Sequence, residues 1–282
     1  MSEFESQVAK ANAFRAMHHG GKILILPNAW DVASARIFEQ AGVRAIATTS
    51  AGVAFSLGYP DGERISRGEM LAIVARIAEK VALPVTADVE SGYGGRPEDA
   101  AETARELIEA GAVGLNLEDV SARNGDRGGT PLTELSLQIE KISAIRQVAA
   151  KLKIPLVVNA RTDVYLLQVG EAKNRFAETV RRLAAFRDAG ADCLFLPGLH
   201  DAPTIRRLVA ELCFPVNILG GPGAPPIREL EKIGVARVSL GSAPMRATLG
   251  LARRIAEELA TTGTYQALEG APTHSEMNAM LA

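Results

Sequence analysis

Along the chain, short unbroken apolar runs alternate with longer stretches in which apolar residues return every three or four positions. The runs read ILILPNA (23–29), AIATTS (45–50), PVTADV (84–89), GLNLED (114–119), PLVVNART (155–162), CLFLPG (193–198), PVNILG (215–220) and RVSLG (237–241). Runs of this length that do not alternate apolar with polar are the pattern of parallel strands covered on both faces. Between them lie helix-length segments such as 31–42, 97–111 and 171–190, closing on Gly42, Gly111 and Gly190. Glycine just past a helix takes the left-handed conformation without a Cβ penalty. Pro84, Pro155 and Pro215 open three of the runs, where a missing N–H costs a strand least.

Eight strand-then-helix units with no break in composition predict one α/β domain over 1–282, a (β/α)8 TIM barrel occupying about 23–242. An open doubly wound sheet is the alternative, but no Gly-x-Gly-x-x-Gly follows the first strand. A helix over about 3–19 precedes the barrel, and a helical tail over about 243–282 follows it.

Composition narrows the function more than the fold. Residues are 47% hydrophobic and 23% charged, and 31 Lys+Arg against 33 Asp+Glu leave a formal charge of −2. Such a balance offers no basic field for nucleic acid, and no apolar stretch approaches the roughly 18 residues a membrane helix needs. The first 21 residues mix acid, base and apolar positions without the apolar core of a signal peptide, so a cytoplasmic protein is expected. Cys193 and Cys213 each sit in an apolar run and read as buried, reduced thiols. His18, His19 and His274 read as surface residues, and Trp30 as packing at the start of the first barrel helix. His200, after the sixth strand, is a candidate for the functional rim.

The active site of such a barrel lies at the carboxyl ends of its strands. There the second unit carries Thr49-Ser50-Ala51-Gly52 and, shortly after, Asp61; the third carries Asp88 and Glu90; the fourth Glu118 and Asp119; the fifth Asn159, Arg161 and Asp163; the seventh Asn217. Asp88 and Glu90 stand at i and i+2, on one strand face if the strand continues that far. With Asp61 and Glu118 they put four carboxylates on one rim, where like charges repel unless a cation sits among them. All-oxygen ligation without a His or Cys cluster suits Mg2+, or Mn2+, with some carboxylates acting through water. Any one of these acids could instead cap or salt-bridge a strand–helix junction, Asp119 foremost. Arg161 could grip an anionic substrate bidentately, or pair with Asp163 or Glu118. Thr49 to Gly52 could offer hydroxyls and amides to an oxyanion. A rival reading takes NILGGPGA (217–224) and SLGSAP (239–244) as the phosphate site many barrels have after their last strands.

The stretches LPNAWD (26–31), TTSAGVAFSLGYPDG (48–62), ADVESGYGG (87–95), GLNLED (114–119) and VNARTDVY (158–165) together resemble the isocitrate lyase/phosphoenolpyruvate mutase superfamily. The resemblance spans nearly the whole barrel in order. It implies a Mg2+-dependent barrel that binds a 2-oxo acid or related carboxylate and works through an enolate-like intermediate. It further implies Asp88 as the most direct metal ligand, with Asp61, Glu90 and Glu118 completing the shell. Thr49, Ser50 and Ala51 would cradle the substrate, Arg161 would contact it, and Asn217 would reach its distal end. Tetramers with a C-terminal helix swapped between subunits are also implied, which would account for the tail.

Departures from the superfamily pattern bear on the reaction. Its lyases carry Lys-x-Cys-Gly-His on the loop after the fourth strand; here that loop reads VSARNGDRGGTP (120–131), without Cys, Lys or His. Arg123 and Asn124 are its nearest match to the Lys and Asn of mutases, and Gly125, Gly128 and Gly129 give it the composition of a lid. Ala47 stands where mutases place tryptophan, and Glu90 where many relatives have aspartate. Metal-assisted C–C cleavage of a small 2-oxo or 2-hydroxy (di)carboxylate is the expected activity, with Arg161, Glu118, Arg123 and Asn124 as candidate catalytic groups. A non-catalytic relative that binds oxo acids, and C–P chemistry on the same scaffold, are the alternatives.

Overall fold

The computed structural model describes residues 2–120 and 131–282. Its strands are β1 (Leu24–Leu26), β2 (Asn28–Ala29), β3 (Ile46–Thr48), β4 (Val85–Asp88), β5 (Gly114–Glu118), β6 (Val157–Arg161), β7 (Cys193–Leu196), β8 (Val216–Leu219) and β9 (Arg237–Ser239). All pair in parallel, in the order β1-β9-β8-β7-β6-β5-β4-β3-β2. Since only Pro27 separates β1 from β2, the ends of this sheet meet and it curls into a barrel.

The apolar run 23–29 is therefore two strands and not one. Proline has no N–H to give the ladder, and at Pro27 the chain changes partners, from β9 on one side to β3 on the other. The side chain of the next residue spans the break. Asn28 Oδ1 accepts the N–H groups of Leu240 (2.8 Å) and Gly241 (2.9 Å), and its Nδ2 donates to Thr48 O (2.8 Å). Three side-chain hydrogen bonds replace the ladder rungs that the break removes.

Helices alternate with the strands: α1 (Glu3–Met17), α2 (Val32–Gln40), α3 (Ser50–Ser56), α4 (Arg67–Lys80), α5 (Pro97–Glu109), α6 (Leu135–Lys151), α7 (Ala172–Asp188), α8 (Ala202–Leu212) and α9 (Ile227–Ile233). After β9 come α10 (Ala243–Thr261) and α11 (His274–Leu281). Their starts are set by side chains that satisfy the orphan N–H groups of a first turn. Asp31 accepts from Ser34 N at 2.7 Å, and Ser66 with Glu69 forms a reciprocal capping box. Among the described residues, no helix is long and apolar enough to cross a membrane.

Helix α1 covers the amino-terminal end of the barrel. Gln7 Nε2 donates to Ile108 O (2.7 Å) and Ala112 O (3.0 Å), and Phe14 is fully buried. Gly114 makes room for that ring: a Cβ there would lie 2.8 Å from Phe14 Cε1 and from Thr86 Oγ1. This docking corrects the expectation that His18 is a surface residue. It is buried, with Nδ1 2.9 Å from Phe14 O and its ring edge-on to Phe14. Burial, and then the Arg237 charge, push its pKa down to about 3. Cys213 is a second correction. It is exposed, ending α8 in the left-handed region at φ 46°, whereas Cys193 is buried and its thiol pushed up to about 12 by that burial.

Candidate active site

The carboxyl end of β4 organises the site. Asp88 N–H donates to Thr48 Oγ1 (3.1 Å), which ties the strand end to β3. Asp88 Oδ2 accepts from Ser50 Oγ (2.9 Å) and from Ser50 N–H (3.4 Å), and its buried Oδ1 has no hydrogen-bond partner. Ser50 is placed by the sharp passage from β3 into α3, where Thr49 caps the helix by accepting from Gly52 N at 3.3 Å. Position 52 admits only glycine, since a Cβ would stand 2.5 Å from Thr49 Cγ2 and 3.2 Å from Trp30 Cβ. Ala51 lies in the same first turn.

Glu90 reaches the site by a different route from the one its spacing implied. Strand β4 stops at Asp88, so the two acids do not share a strand face. The chain turns through the left-handed region at Glu90 (φ 53°) and again at Tyr93 (φ 57°). Glu90 Oε2 accepts the N–H of Glu63, and its buried Oε1 has no hydrogen-bond partner. Burial first, then the charges of Asp88 and Asp61, raise the Glu90 pKa to about 8. At the exposed mouth, the packing around Asp61 and then Asp88 also push the Asp61 carboxyl upward. Glu118, at the end of β5, donates its N–H to Glu90 O (2.9 Å); its burial raises its pKa against the pull of Arg161. A cavity of about 200 Å³ opens here, lined by Asp61, Glu63, Glu90, Ser91, Glu118 and Val120 among others.

Arg161 is held between two carboxylates. Nε and Nη2 grip Asp163 (2.6 and 2.8 Å), and Nη1 meets Glu118 Oε2 at 2.6 Å. Both carboxylate pairings open to it in the sequence are made, and the Nε–Nη2 edge of its fork is taken by Asp163. Burial lowers its pKa, but the charges of Glu118 and Asp163 more than reverse this. Asp119 braces the same corner from behind, accepting from Thr162 Oγ1 (2.7 Å), Asp163 N–H (3.0 Å) and Arg182 Nη1 (3.0 Å).

The remaining candidates fall elsewhere. Asn217 is not at the rim: it is fully buried inside the barrel, exchanging hydrogen bonds with Ser239 Oγ at 3.1 and 3.3 Å. The amides of Leu240 and Gly241, which the phosphate-site reading would use, are both occupied by Asn28. His200 is exposed just ahead of α8. Arg123 and Asn124, with the glycines of the loop, lie outside the described residues.

Two participants escaped the sequence reading. Glu63 had a signal: Gly62 (φ 98°) turns the chain so that Asp61 and Glu63 serve one neighbourhood. Lys141 had none, being one lysine in a helix, yet it is buried and donates to Ser91 O and Gly94 O at 2.9 Å each.

The site's fitness for a cation follows from these contacts. Two buried carboxylate oxygens, Asp88 Oδ1 and Glu90 Oε1, lack partners, and the acids around them resist ionisation. Among the described residues, no three His, Cys, Asp or Glu side chains stand close enough to hold a metal by direct contacts alone. The unpartnered oxygens and their all-carboxylate surroundings are the donor type that a hard cation such as Mg2+ takes.

A family profile described as phosphoenolpyruvate phosphomutase matches residues 14–260. The chain belongs to that family. A crystal structure from Burkholderia cenocepacia J2315, provisionally described as a lyase/mutase, superposes with a TM-score of 0.91 at 39% identity, covering 99% of this chain and 97% of that one. The 2-methylisocitrate lyase of Bacillus subtilis is 30% identical over 75% of this chain and 67% of its own length. Oxaloacetate acetylhydrolase, solved with its product oxalate, superposes with a TM-score of 0.84 at 25% identity over 96% of this chain and 93% of that one.

Proposed function

We propose that this chain is a Mg2+-dependent enzyme that cleaves a C–C bond in a small 2-oxo or 2-hydroxy (di)carboxylate. The observation that carries the reading is the pair of unpartnered buried oxygens on Asp88 and Glu90, beside the Ser50 amide and hydroxyl. Support also comes from the relatives, whose names describe cleavage of 2-methylisocitrate and of oxaloacetate.

Asp88 would hold the metal directly, with Asp61, Glu90 and Glu118 around it, partly through water. Once bound, Mg2+ supplies Lewis-acid polarisation of an oxo or hydroxy acid. The chain's own residues do the rest. Thr49, Ser50 and Ala51 would line the substrate, while the Ser50 N–H and Oγ orient the Asp88 carboxylate. Without the cation, burial and the charges of Asp88 and Asp61 favour the protonated form of Glu90; with a cation beside Oε1, Glu90 would release that proton while the Glu63 N–H keeps hold of Oε2. Arg161 orients Glu118 and contributes positive potential while Asp163 holds its fork. Arg123 and Asn124 are the proposed catalytic groups of the loop 120–131.

Calorimetric titration of oxaloacetate and 2-oxoglutarate, in Mg2+ and in EDTA, tests the reading when NMR follows products in the same samples. Mg2+-dependent binding, new cleavage products and loss of both in Asp88→Ala are expected. Binding unaffected by EDTA and by Asp88→Ala would overturn the metal site. Mg2+-dependent binding without turnover across a panel of oxo and hydroxy acids would make the protein a binding relative.

A further inference from the structure

The loop 89–94 carries Glu90 in a conformation that its sequence does not favour. Glu90 and Tyr93 both lie at positive φ, and so does Glu63 (54°), which contacts them from the loop after α3. Left-handed backbone at non-glycine residues is costly and persists only where surrounding contacts over-determine it. Those contacts are present. Glu63 Oε1 accepts from Ser91 Oγ (2.6 Å), Ser91 N–H (3.2 Å) and Tyr93 N–H (3.0 Å). The same residue's N–H donates to Glu90 Oε2. From the opposite side, Lys141 of α6 donates to Ser91 O and Gly94 O at 2.9 Å each, and Thr103 of α5 donates to Gly92 O at 2.8 Å. A carboxylate gathers the loop's donors while an ammonium and a hydroxyl gather its acceptors.

We propose that Glu63 is a positioning residue: with Lys141 it clamps the loop 89–94 so that Glu90 and Asp61 are presented to Asp88 as one cation site. Glu63 and Asp61 flank a single glycine, so the clamp that fixes Glu90 also fixes the backbone bearing Asp61. Lys141 makes this hold unusually firm. It is 2% exposed, and among the described residues it forms no ion pair, its two hydrogen bonds going to loop carbonyls. An ammonium taken out of water needs such partners, and the Ser91 and Gly94 carbonyls supply them. This inference rests on the metal-site reading above for its consequence, but the clamp is a property of the chain itself.

The experiment compares wild type with Glu63→Ala and Glu63→Gln in the full-length protein. Mn2+ affinity is read from the free-ion electron paramagnetic resonance signal, and loop order from hydrogen exchange at the Ser91 and Tyr93 amides. Glutamine keeps an oxygen able to accept the same three hydrogen bonds but carries no charge, so it separates geometry from electrostatics. Partners behind metal ligands change affinity by roughly 10–100-fold when removed. Loss of that order is expected for Glu63→Ala, together with faster exchange at both amides, and Glu63→Gln should stay within about threefold of wild type in affinity. A purely structural residue would lower the melting temperature without this split between alanine and glutamine. Wild-type affinity and protection in Glu63→Ala would overturn the clamp. Equal losses in both variants would overturn positioning in favour of charge. If wild type itself binds no Mn2+, the metal reading fails, and amide exchange in the two variants still decides the clamp.

Discussion

Burial and the charges of Asp88 and Asp61 hold the Glu90 pKa near 8, well above the ordinary carboxylate value of 4.5. A carboxyl whose folded pKa is raised stabilises the fold fully below its unfolded pKa, and that contribution is lost as pH rises through the folded one. Metal-free protein should therefore lose stability between about pH 4.5 and 8, by on the order of 1 kcal/mol per pH unit from this group. Urea unfolding in EDTA across that range measures the slope, and Glu90→Gln should flatten it. An unchanged slope in the variant would show that Glu90 is ionised throughout. Glu118 is driven in the same direction by its burial, though Arg161 opposes the drift. Burial thus opposes the ionised form of both Glu90 and Glu118, with Arg161 offsetting it at Glu118, and a cation between the acids would offset it at Glu90 as well.

Between elements, the passage from β1 to β2 is where barrel closure is decided. Pro27 ends one set of pairings, and Asn28 carries the connection to the β9 end and to Thr48 by three side-chain bonds. Asn28→Ala removes all of them while leaving two half-buried N–H groups and the buried Thr48 carbonyl in search of partners. A loss of about 3 kcal/mol in unfolding free energy is expected, measurable by urea denaturation. A change under 1 kcal/mol would mean that water replaces the side chain there. The stretch PNA was visible in the sequence as the end of the first apolar run. Its closing role was not, because Leu240 and Gly241, two of the three partners of Asn28, lie more than 200 residues away.

The outer surface of the molecule raises the question of assembly. Only Met245 of α10 is buried, and Leu251, Ile255 and Leu259 follow one another at i, i+4 and i+8 along one face. Leu251 and Leu259 are 39% and 48% exposed, more apolar surface than an isolated helix keeps without reason. We expect this face to pack against a second copy of the chain, giving a homo-oligomer, and the swapped-helix tetramer implied by the family resemblance is one way to do so. Light scattering on the eluting protein should report a multiple of 29.8 kDa, shifting toward a single chain in Leu251→Glu/Leu259→Glu. A wild-type monomer at micromolar concentration would rule it out.

What the chain determined by itself was what local periodicity and residue chemistry carry. Eight apolar runs, the glycines ending helices and the prolines opening strands led to the barrel, and the acids at the strand ends led to Asp61, Asp88, Glu90 and Glu118. The structure lines one mouth with Asp61, Glu90 and Glu118 and sets Asp88 near enough for its charge to push all three upward. Tertiary structure decided how they point and what is already bound. It ended β4 at Asp88 and turned Glu90 in through a left-handed residue, occupied Arg161 with Asp163 and Glu118, and withdrew Asn217 into the barrel. It also recruited Lys141 and buried His18. The physical reason is the range of the forces: burial patterns repeat every two to four residues and can be read along the chain. Hydrogen bonds and charges act over a few ångströms between groups that the fold alone makes neighbours.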